Sequence, residues 1–177
     1  MPTEGVDIYA EFDSKFPMLL FILRHGEAEA GSPGGNDADR RLTPKGAQTL
    51  RRALTRAATA GVKPEMVLAS PYLRARESAE IAREIFGLAE PVLPSNALVP
   101  DSHPEAVWDE IRVHAGASQL LLVGHNPLLS YLLTVLLGAG EYSIDLKTAG
   151  LACVDVGSVG AQLRGRLVWL LTPEVCG

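Results

Sequence analysis

Apolar residues run unbroken from Met18 to Leu23, and the chain then turns polar at Arg24-His25-Gly26-Glu27. Such a run reads as a strand buried on both faces, as in a parallel sheet. Met66 to Ala69 and Gln119 to Val123 repeat the pattern, Val92-Leu93 suggests a short strand, and Gly150 to Val156 and Arg166 to Leu171 read as two closing strands. Between them the apolar positions take a helical period. Thr43-Pro44 reads as a cap with proline at the first helical position, followed by a stripe of Ala47, Leu50, Leu54, Ala57 and Ala58 and a stop at Gly61. Arg51, Arg52 and Arg56 fall off that stripe, as a solvated face would place them. Ser70-Pro71 repeats the cap and proline before a helix with Leu73, Ile81, Ala82, Ile85 and Phe86 inward, ending at Gly87. Ser102-x-x-Glu105 has the capping-box pattern ahead of Val107, Trp108 and Ile111, and Asn126-Pro127 heads a Leu-rich helix ending at Gly138. The stretch from Ala28 to Arg41, rich in Gly, Asp and Asn, reads as a mobile loop, and Pro94 to Pro100 as irregular.

Strands alternating with helices predict an α/β fold, a three-layer α/β/α sandwich around a mostly parallel sheet. Residues 18–177 read as a single domain, and residues 1–17 as a flexible N-terminal extension or an overlong start, with Glu4, Asp7, Glu11 and Asp13 and no apolar core. Three strands end in Arg24-His25, in Ser70-Pro71 with Arg74 just beyond, and in Gly124-His125-Asn126-Pro127. If those strands are parallel, the three ends meet at the sheet edge where ligands bind in open α/β folds. Helix N-termini pointing there favour an anion.

Charge narrows the partners. The formal net charge of -5 and pI near 5.4 argue against nucleic acid or a polybasic membrane surface. The apolar stretch from Leu120 to Gly138 is broken at Gly124-His125-Asn126-Pro127, so neither half spans a bilayer core of about 30 Å. Cys153 and Cys176 fit no metal or redox spacing and read as reduced thiols, which suits the cytoplasm.

Two imidazoles and two guanidinium groups at one edge suit phosphoryl transfer, which is mostly positioning and charge stabilisation. Arginine offers a planar fork of donors to phosphate, and a neutral imidazole is a nucleophile near neutral pH. The sequence contains neither an H-x-x-x-H spacing nor a G-x-x-x-x-G-K-[ST] loop, so neither a metal nor a nucleotide cofactor is expected. Each group also has a plainer reading. His125 taken alone is more commonly a satisfied core histidine, His103 and His114 read as exposed, and Glu27 as orienting an imidazole or facing solvent, while Arg40 or Arg41 is placed to close over substrate from the loop.

Arg24-His25-Gly26, Leu42-Thr43-x-x-Gly46, Ser70-Pro71-x-x-Arg74-Ala75 and Gly124-His125-Asn126-Pro127, in that order, resemble the histidine phosphatase superfamily with its phosphoglycerate-mutase-like fold. The short length, the G-H-N-P form and the closing Trp169-Leu170-Leu171-Thr172-Pro173 are most similar to the SixA-type phosphohistidine phosphatases. The resemblance implies His25 as nucleophile, Arg24 and Arg74 as phosphate ligands, His125 as the second pocket histidine, and Gly26 beside the substrate. It implies a metal-independent phosphatase acting on a phosphohistidine-containing protein or a small phosphorylated substrate, with phosphate or another oxyanion in the pocket. Ester-hydrolysing members of the superfamily carry an acidic proton donor where this chain has Asn96. Asp101 is the candidate replacement, with His103 behind it. A broader small-molecule phosphomonoesterase and a non-catalytic phosphate-binding adaptor are the alternative expectations.

Overall fold

The computed structural model describes residues 18–140 and 143–175; the expected N-terminal extension and Cys176 lie outside them. In chain order the elements are β1 (Met18–Arg24), α1 (Pro44–Thr59), β2 (Met66–Ala69), α2 (Leu73–Phe86), β3 (Leu93–Pro94), α3 (Pro104–Val113), β4 (Gln119–Gly124), α4 (Leu128–Leu136), β5 (Leu151–Gly157) and β6 (Arg166–Leu171). Short 3-10 turns form at Asp37–Asp39, Asn96–Leu98 and Pro173–Val175.

The strands form one sheet in the order β3-β2-β4-β1-β5-β6. The pairings β1 with β4, β4 with β2 and β2 with β3 are parallel, and β5 runs antiparallel to both β1 and β6. The unbroken apolar run of β1 has a direct cause, because each face of the strand meets helices. Leu20 and Ile22 pack with Val107, Trp108 and Leu132 of α3 and α4, whereas Leu19, Phe21 and Leu23 pack with Leu50, Leu54 and Ala82 of α1 and α2. Leu122 and Leu121 of β4 divide in the same way. The expected three layers result.

Three helix starts differ from their sequence signals. α2 begins at Leu73 with Tyr72 as its N-cap, α3 is capped by His103 rather than Ser102, and α4 follows Pro127 without a side-chain cap. The short strand is Leu93–Pro94, one residue later than expected. α1 starts as read, with Thr43 Oγ1 accepting from Gly46 N.

Candidate active site

The parallel register sets Arg24 beside Gly124 and Leu23 beside Val123, while Val123 also pairs with Ala69. The ends of β1, β2 and β4 therefore meet at one edge, as the strand pattern predicts. His25 is tied there by its backbone: its N–H donates to Gly124 O and its carbonyl accepts from Ala149 N, each at 3.1 Å.

The His25 ring is oriented by its own neighbour. Nδ1 lies 2.7 Å from Gly26 O, a carbonyl that only accepts, so Nδ1 carries the proton and Nε2 the lone pair. Arg74 Nε–H donates to that lone pair at 3.3 Å. Gly26 N–H donates to Ser78 Oγ at 3.2 Å, so Gly26 orients the imidazole and its N–H is not free for a substrate oxygen.

His125 is buried, with its ring centroid 4.9 Å from that of His25. Its Nε2 lies 2.8 Å from Ser70 Oγ, and that hydroxyl accepts from Tyr72 N at 3.3 Å. His125 Nδ1 is buried and without a hydrogen-bond partner. Tyr72 meets the His125 ring edge-on at 5.1 Å and carries Arg74 Cζ 5.1 Å from its own ring centroid. Arg24 Nη1 and Asn126 Nδ2 both donate to Leu146 O at 3.0 Å, so Asn126 braces the segment before β5 instead of capping α4. Arg24 Nε is buried and unpaired.

Burial is the main reason that both imidazoles stay neutral. It pushes His25 down to about 4, helped by the Arg74, Arg24 and Arg40 cations and opposed by the Gly26 carbonyl. His125 is pushed down to about 3 by burial first and then by His25. Burial likewise lowers Arg24, partly offset by Asp145.

Arg24, His25, Arg74 and His125 are thus brought together. Asp101 is not among them; it stands exposed in the turn before α3. His103 is exposed, with Nδ1 accepting from Ala106 N, and Asn96 is exposed in its 3-10 turn. Ser70, Tyr72 and Asp37 belong to the cluster although sequence reading singled out none of them as site residues. Ser70 carried a signal that pointed to a helix cap, and Asp37 lay unmarked in the expected loop. Its Oδ2 accepts from Arg74 Nη2 at 2.9 Å.

A concavity of about 280 Å³ lined by Pro100, Ser102, Pro127, Leu128, Tyr131 and Ile144 lies beyond Pro127 and has no charged lining. Among the described residues no helix is long and apolar enough to cross a membrane, and no three His, Cys, Asp or Glu side chains are grouped to hold a metal ion.

Known proteins resemble this chain in sequence and fold. The model of the histidine phosphatase superfamily (branch 1) matches residues 20–98. The phosphohistidine phosphatase SixA of Escherichia coli (strain K12) is 28% identical over 158 residues, 88% of this chain and 94% of that protein. The SixA homolog of Haemophilus influenzae is 30% identical over 132 residues, 68% of this chain and 78% of that protein. The solved structure of the protein histidine phosphatase SixA complexed with tungstate superposes with a TM-score of 0.82 at 27% identity, covering 90% of this chain and all (100%) of that one.

Proposed function

This chain belongs to the histidine phosphatase superfamily and is a phosphatase, and on that premise we propose that His25 Nε2 takes the phosphoryl group from phosphohistidine on a protein. One observation carries the reading. The Nε2 lone pair is presented to the Arg74 guanidinium at 3.3 Å while Nδ1–H is fixed on Gly26 O. The ring is neutral and its reactive nitrogen faces a phosphate-binding cation.

Nε2 attacks phosphorus in line, forming an N–P bond as the substrate's P–N bond breaks. The substrate ring, protonated on its other nitrogen, departs as neutral imidazole with the electron pair of the broken bond. Arg74 Nε–H passes from the lone pair to a phosphoryl oxygen, Arg24 and His125 hold the others, and these groups offset charge in the transition state. Water then attacks the phosphorylated His25, giving inorganic phosphate and regenerating Nε2.

The substrate class follows from the leaving group. An alkoxide leaves poorly without a proton donor, whereas imidazole is a better leaving group. Asp101 is exposed in the turn before α3, which favours phosphohistidine over a phosphate ester.

Incubation with a phosphoramidate should label the protein with an acid-labile, base-stable phosphoryl group. His25→Ala should lose that label and reduce turnover by about a thousandfold or more. Wild-type hydrolysis should be faster on phosphohistidine than on p-nitrophenyl phosphate and unchanged by EDTA. Near-normal turnover in His25→Ala sinks the mechanism, and faster ester hydrolysis moves the substrate to phosphomonoesters.

A further inference from the structure

The segment between β1 and α1 supplies a carboxylate that the proposed reaction does not use. Asp37 opens the 3-10 turn Asp37–Asp39, which Asn36 caps by accepting from Ala38 N. Its main-chain carbonyl accepts from Arg74 Nη1 at 2.7 Å, and its Oδ2 accepts from Arg74 Nη2 at 2.9 Å. Its other carboxylate oxygen, Oδ1, accepts from Arg40 Nη1 at 2.8 Å. All three Arg74 nitrogens are therefore engaged: two on Asp37 and Nε on the His25 lone pair. A guanidinium is planar, so fixing both terminal nitrogens fixes the direction of Nε–H.

We propose that Asp37 is a positioning residue of the phosphoryl site, holding the Arg74 fork so that its Nε–H points at the reacting nitrogen. The inference rests on the reading of His25 as nucleophile. Asp37 acts as an anion and not as a proton donor, because its bonds to Arg40 and then Arg74 hold its carboxyl below the usual carboxylate range. Simply tying down the loop does not explain the contact. The base of the segment is already pinned, since Ala28 bridges to Leu42 and Glu77 accepts from Leu42 N at 2.7 Å and from Arg41 Nε at 3.0 Å. The Arg74 side chain is 6% exposed and that of Asp37 54%, so a carboxylate at the surface orients a buried cation.

The test reads Arg74 and anion binding rather than turnover. In the wild-type protein the Arg74 Nε–H resonance should exchange with water at least about tenfold more slowly than that of an exposed arginine. Asp37→Asn should remove that protection and weaken inorganic phosphate binding by about tenfold to a hundredfold, as loss of a charge-assisted hydrogen bond does. Arg74→Lys should weaken it similarly, and the double variant should be no weaker than Arg74→Lys alone, because Asp37 acts through Arg74. Fast exchange in the wild type, an unchanged phosphate affinity in Asp37→Asn, or losses that simply add would each overturn the proposal. A wild-type protein that passes these measurements but forms no phosphoenzyme would instead remove His25 as nucleophile and leave the Asp37–Arg74 link intact.

Discussion

Neutrality of the two imidazoles is a folding property as much as a catalytic one. An unfolded histidine holds its proton up to about pH 6.5, whereas His25 releases it down to about 4 and His125 down to about 3. Across that window the unfolded chain binds more protons, so stability is full above 6.5 and is lost as the pH falls towards the folded values. Asp37 works in the same direction, but below its ordinary 3.8 and therefore at the acid end. The urea midpoint should fall between neutral pH and about pH 4, and His125→Gln should flatten that fall; an equally steep profile in the variant would refute the assignment. At this scale His25, Arg24, Arg74 and His125 were legible because strand ends concentrate them. Asp37 was not, since nothing local distinguishes a carboxylate bound for a helix that starts far along the chain from one bound for solvent.

The helices show why local signals mislead beside a site. Ser70 and Asn126 look like caps, yet Ser70 bonds His125 and Asn126 bonds Leu146 O, so α2 and α4 begin without a side-chain cap. Ser70 keeps only a local bond to Tyr72 N beside its tertiary one, and Asn126 turns to its tertiary partner. Where no such competitor exists, as at Thr43, the cap formed as read. The glycine four residues into that motif has a packing reason. A Cβ on Gly46 would lie 2.2 Å from Glu27 O, and one on Gly26 would lie 2.9 Å from Gly46 O, so the first turn of α1 presses against the turn that carries His25. Helix propensity favours Gly→Ala by about 1 kcal/mol, but overpacking against backbone costs about 1–3 kcal/mol and should win. Gly46→Ala is expected to lower Tm by a few degrees, at about 2–4 °C per kcal/mol for a chain of this size. A Tm at or above that of the wild type would show that α1 can back away from the turn.

At the scale of the molecule, a chain with net charge -5 gathers Arg24, Arg40 and Arg74 around His25, so bulk charge and local field have opposite signs. The layers were legible from apolar runs and stripes. Strand order was not, because runs buried on both faces look alike wherever they sit in a sheet. That order, β3-β2-β4-β1-β5-β6, places β4 between β1 and β2. Synthesis runs from the N-terminus, so the first two of these strands emerge long before the one that must separate them. Until it arrives, β1 lacks both its final neighbours, β4 and β5, and an unpaired strand edge invites pairing with another chain. The same strand delivers His125, so the sheet joins and the pocket is completed in one event. A chain halted before Gln119 should be protease-sensitive and aggregation-prone, and one carried to the end of β5 should resist both; a stable, soluble early fragment would show that β1 and β2 find another pairing first. For this protein the nascent chain is exposed for as long as His25 waits for His125.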